Sequence, residues 1–238
     1  MKRTIGTIIY FSAAAIAMAI YFYIKSTASL YDLQIIRLTD WYALTALFFL
    51  YLTLLASPLY SAIPQLPGRT VYLPARKALG ISAFLFACLH ACLAFFFSLG
   101  GFSGLSFLSN NYRAVLALGF TSLTILFLLA IISLDAIKNF LAQRWKILQK
   151  FTYLAGVLIL AHATLIGSHF VNLGRPIPQL VFLAIFLFLF LESIRIRELI
   201  RRKNTKLAFV IWLFILVILL WAYYHLAFSN SLQNFHVH

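Results

Sequence analysis

Two histidines stand inside long apolar runs, His90 within residues 78–99 and His162 within 151–170. An ionisable side chain in such a run is costly in lipid, so each needs a partner. A neutral imidazole offers one nitrogen as a donor and the other as an acceptor or metal ligand. Two imidazoles from separate helices form the axial set of a bis-imidazole iron porphyrin. Such a plate is mostly apolar and suits a bundle lined with Phe and Leu. Counted from the starts of their runs, His90 and His162 lie about twelve and eleven residues in, or ~18 and ~17 Å along each helix. Matched depth on two parallel helices favours a shared ligand. A hydrogen bond from each ring to a neighbouring helix is the other reading, and spacing alone leaves both open.

The elements that must position these residues follow from composition. Of 238 residues, 63% are hydrophobic and only 10% are charged, against about a quarter charged in a soluble domain. At roughly 20 residues per crossing, that apolar content suffices for about seven membrane helices. A soluble enzyme, a disordered chain and a nucleic-acid reader are excluded, although the net charge of +14 would otherwise suggest nucleic acid. Unbroken apolar runs cover residues 4–24, 41–63, 78–99, 115–134, 151–170, 177–191 and 207–228. They do not alternate, which argues against a β-barrel. The expectation is an all-α, multi-pass transmembrane bundle of seven helices. The first run follows Lys2 and Arg3 and exceeds the 7–15-residue core of a cleaved signal, so it is expected to remain as an anchor.

Charge sets the orientation. Of 19 Lys and Arg residues, only Lys25, Arg37, Arg113 and Arg175 fall on one side of this arrangement. The positive-inside rule then places the N-terminus in the cytoplasm and, with seven crossings, the C-terminus outside. Pro58, Pro64, Pro67 and Pro74 are expected to punctuate one cytoplasmic connection.

Other polar residues carry weaker signals. His169 follows His162 by two helical turns on the same face. It is a candidate contact for a haem propionate or a quinone, or an interfacial histidine. His225, His236 and His238 lack metal-ligand spacing. Cys88 and Cys92, one turn apart on a face that His90 does not share, read as small packing residues. Gly100, Gly101 and Gly104 form a turn, since no strand precedes them and no Lys-Ser/Thr follows. Five acidic residues in the whole chain leave little scope for paired-carboxylate chemistry. No dinucleotide-binding Gly-x-Gly-x-x-Gly follows a strand, so hydride cannot be taken directly from a soluble nucleotide.

The flanking residues carry a resemblance. Arg76-Lys77-Ala78-Leu79-Gly80 followed by Leu89-His90, and Arg144-Trp145-Lys146-Ile147-Leu148 leading through Tyr153 to His162, resemble the signature segments of the ferric reductase-like transmembrane family. Ala56-Ser57-Pro58-Leu59 and Leu118-Gly119, with Ser133 beyond, fit the same pattern. The likeness runs from about Thr39 to Phe170. Within the family it is to the haem-binding membrane subunits of periplasmic methionine sulfoxide reductase systems. Gln149 departs from the pattern, because it stands where the family usually has a histidine.

The resemblance implies a domain organisation and a role. Residues 1–38 would form an N-terminal anchor and outer loop, 39–206 the haem-binding domain, and 207–238 an added C-terminal helix with a short outer tail. One haem b would sit in the outer half of the bilayer, ligated by His90 and His162. Arg76, Lys77 and Lys150 are candidates to hold an anionic head group or propionate by charge-assisted bonds, or are plain positive-inside anchors. A quinone or a flavin is a further candidate cofactor. The chain would then be a b-type cytochrome subunit of the bacterial inner membrane, an electron-transfer component rather than a self-sufficient enzyme. Its donor would be membrane quinol or a cytoplasmic flavin reductase. Its acceptor would be a periplasmic reductase or ferric iron. The competing readings are a haem-less family member acting as a membrane partner, and a seven-helix transporter or sensor. Against the last, residues 207–228 lack a retinal-type lysine and no midplane carboxylate marks a transport site.

Overall fold

The structure, a computed structural model, describes residues 2–166, 176–201 and Leu213. His169, His225, His236, His238 and the expected helix over 207–228 lie outside the described residues, Leu213 excepted. All regular structure among the described residues is helical. In chain order the helices are α1 (Lys2–Thr27), α2 (Tyr31–Ala62), α3 (Arg69–Leu93), α4 (Gly101–Leu105), α5 (Asn110–Ile132), α6 (Asp135–Leu141), α7 (Arg144–Leu148), α8 (Phe151–Ile166) and α9 (Pro176–Arg201). A single π turn, Ala94–Ser98, extends α3.

Six segments among the described residues are long and apolar enough to cross a membrane. Outward-facing aromatics such as Phe11, Phe48 and Phe120 cover these helices, as expected where the solvent is lipid. The chain is a multi-pass membrane protein. The expected count of seven reaches six here, since the seventh run is not described.

Helix boundaries differ from the apolar runs in one consistent way. Helix α2 begins at Tyr31 and α3 at Arg69, each roughly two and a half to three turns before its apolar run. The early turns carry Asp32, Arg37 and Asp40 in α2 and Arg69, Arg76 and Lys77 in α3. These are polar helix ends that hydropathy does not register. The prolines are corrected for the same reason. Only Pro64 and Pro67 lie in the connection, whereas Pro58 is inside α2 and Pro74 inside α3. The start at Arg69 also overturns the equal-depth count from the helix beginnings, since His90 lies far closer to the end of α3 than to its start.

The chain divides into two compact units. The first holds residues up to Leu54 and Gly68–Ile166. In it α1 lies along α3, α3 packs on α5, and α5 runs along α8. Its buried centre is aromatic: Phe49 stacks on Phe86 at 5.6 Å and Tyr42 tilts against Phe86 at 5.9 Å. Gly6 of α1 faces Ala78 of α3. The second unit holds Leu55–Pro67 and the segment containing α9. There Arg195 pairs with Glu192 one turn earlier at 2.6 Å, which neutralises a carboxylate within an otherwise apolar span.

Candidate metal centre

Helices α3 and α8 each contribute one imidazole. The Nδ1 of His90 lies 3.0 Å from the carbonyl oxygen of Thr39 on α2. The Nδ1 of His162 lies 2.9 Å from the carbonyl oxygen of Val115 on α5. A carbonyl oxygen only accepts, so each ring donates from Nδ1–H and keeps its Nε2 lone pair. Metal-ligating histidines commonly donate their other ring N–H to a carbonyl in this way, which fixes the ring's orientation. Each imidazole is thus fixed by a different neighbouring helix, His90 by α2 and His162 by α5.

Both acceptors sit near the starts of their helices, Thr39 in the third turn of α2 and Val115 in the second of α5. Each carbonyl already serves its own helix and uses its second lone pair for the imidazole. A helical side chain leans back over the preceding turn, so the residue four places on decides whether that lone pair is reachable. Those residues are Ala43 and Gly119, both small. Gly119 does more. A methyl group there would stand 2.7 Å from Cε1, 2.8 Å from Nδ1 and 3.1 Å from Nε2 of His162. The His162 ring therefore rests directly on the backbone of α5.

The remaining candidates lie elsewhere. Arg76 is fourteen residues before His90 on α3, ~21 Å along the axis. Its Nε donates to the Thr53 carbonyl at 3.1 Å. Lys77 forms an exposed ion pair with Asp135 at 2.9 Å. Gln149 donates from Nε2 to Ser133 Oγ at 3.1 Å, and Ser133 donates to the Leu129 carbonyl at 2.7 Å. Arg76, Lys77 and Gln149 are thus each tied to a protein partner, well removed along the chain from the imidazoles. Sequence reasoning found both histidines but missed Thr39 and Val115 as acceptors and Gly119 as the seat of a ring. An isolated glycine inside an apolar helix was the one available signal.

Residues 39–161 match the family model described as ferric reductase like transmembrane component. This chain belongs to that family. The matched stretch begins at the Thr39 acceptor and ends one residue before His162. A curated relative from Klebsiella pneumoniae subsp. pneumoniae, named protein-methionine-sulfoxide reductase heme-binding subunit MsrQ, is 36% identical over 121 residues, covering 49% of this chain and 56% of that protein. One of the same name from Cronobacter sakazakii is 35% identical over 111 residues, covering 46% and 55%. The chain thus spans about half the length of the curated relatives it matches.

The residues present fit an iron porphyrin. Two unprotonated Nε2 atoms form the donor set, and no group of three or more metal-binding side chains competes among the described residues. Ser82, fully buried two turns before His90, also has a hydroxyl with no partner among the described residues.

Proposed function

We propose that this ferric reductase-like chain is a b-type cytochrome subunit that carries electrons across the bacterial inner membrane. One observation carries the reading: each of two imidazoles is fixed through Nδ1 by a carbonyl of a neighbouring helix, leaving both Nε2 atoms for iron. His90 and His162 would hold the haem. When bound, it supplies a one-electron carrier. The two carbonyls would keep the imidazoles in the ligating tautomer. The names of the MsrQ relatives, heme-binding subunits of a protein-methionine-sulfoxide reductase, support the same role. They also make a methionine sulfoxide reductase outside the membrane the acceptor we propose.

Membrane quinol is the proposed donor. Neither Arg76 nor Gln149 offers an iron ligand, since Gln149 is engaged by Ser133 and a protonated guanidinium does not ligate. A soluble cytoplasmic reductase would face a gap of ~21 Å along α3, which a lipid-soluble quinol avoids. Arg76 and Lys77 then serve at the cytoplasmic end, where positive charge orients the chain.

Haem content tests the reading. A pyridine haemochrome assay on the purified protein should give close to one haem per chain. His90→Ala or His162→Ala should abolish it, while His225→Ala should retain it. Full haem retention in both helix variants would sink the assignment.

A further inference from the structure

We infer that Gly119 is a positioning residue for His162: its bare backbone seats the imidazole where Nδ1–H meets the Val115 carbonyl. The inference rests on the haem reading for its consequence, but on α5 and α8 alone for its geometry.

The two imidazoles make an internal comparison. Each donates to a carbonyl whose neighbour four residues on is small. On the His90 side that neighbour is Ala43, so reaching a carbonyl past a methyl group is sterically acceptable. On the His162 side it is Gly119, and a methyl group would come within 2.7–3.1 Å of three ring atoms. Contacts of that length cannot persist between a methyl carbon and an imidazole. The backbone of α5 is held by its own helical hydrogen bonds, and Ser122 Oγ donates to the Gly119 carbonyl at 2.7 Å. The ring therefore has to give way. Its displacement breaks the Nδ1 bond to Val115, frees the tautomer and turns Nε2 from its direction. Gly119 thus acts on iron only through His162.

Another glycine supplies the control. A methyl group at Gly156 of α8 would meet only Leu54 Cδ1, at 3.1 Å. That is the far end of a flexible side chain. Gly156→Ala perturbs packing without touching an imidazole.

The experiment has two readouts. In nanodiscs, nitrogen NMR of ¹⁵N-histidine-labelled protein without haem should show His162 as the Nδ1–H tautomer. Gly119→Ala should convert it to a mixture or to Nε2–H, and Gly156→Ala should not. In haem-loaded protein, Gly119→Ala should lose the low-spin bis-imidazole electron paramagnetic resonance signal or shift the midpoint potential. Gly156→Ala should keep both. An Nε2–H tautomer in the unsubstituted protein overturns the inference without any variant, even if Gly119→Ala fails to fold. An unchanged tautomer, spectrum and potential in folded Gly119→Ala overturns it too, leaving the haem reading intact. If the unsubstituted protein takes up no haem, the haem reading fails while the NMR arm still decides the role of Gly119.

Discussion

Two levels of the first unit are built from the same helices and end in opposite chemistry. At one, His90 and His162 each spend Nδ1–H on a carbonyl and keep a nitrogen for a ligand. At the other, Arg76 and Gln149 direct their donors into protein, onto Thr53 and Ser133. Position along the bundle therefore does not make a site. A side chain with a lone pair left over after its structural bond does, and an imidazole is the one such group here with a ring nitrogen on each side. Arg76 and Gln149 each tie one helix to another through these bonds, so their contribution is to stability.

Three substitutions sharpen this contrast. Arg76→Ala has the largest expected effect. It strips the Thr53 carbonyl of its cross-helix donor, at a cost of about 1–3 kcal/mol for a half-buried acceptor bonded to a charged group. It should lower the unfolding midpoint in detergent while haem content stays near one per chain. Loss of haem in a folded Arg76→Ala protein would mean that the two levels are not separate. Ser133→Ala removes the acceptor of Gln149 and should destabilise by about 1 kcal/mol, again with an unchanged haem spectrum. Gln149→His has the smallest expected effect. It adds a nitrogen ligand at a level where Arg76 offers no second one, so no second low-spin haem should appear. A haem-to-chain ratio near two in Gln149→His would break the comparison.

The sequence made the helices legible wherever a run of apolar residues touches lipid. It failed at their polar extensions, because residues such as Asp32 and Arg69 lie on helices whose ends need not meet lipid. Prolines were over-read as loop markers. Pro74 lies six residues into α3, past the first turn, where it cannot donate to the Thr70 carbonyl and yet does not end the helix. The histidines were legible by type. Their acceptors were not, because Thr39 and Val115 contribute backbone carbonyls that every residue carries. Arg76 and Lys77 were recognisable as special by charge, but charge could not say whether a ligand or another helix answers them. Gln149 was read as a lost ligand. Its side chain donates to Ser133 instead.

The cross-helix bonds from α3 to α2 also form a ruler. Tyr72 donates to the Leu52 carbonyl at 2.6 Å, Arg76 to Thr53, and His90 to Thr39. Fourteen residues separate Arg76 from His90 on α3, and the same number separates Thr53 from Thr39 on α2. Two antiparallel helices of equal rise can satisfy both ties at once only in this register. Sliding α3 by one turn, ~5.4 Å, would break every one of them together. The height of the His90 ring is thereby gauged from the distant end of its helix by residues that never approach it.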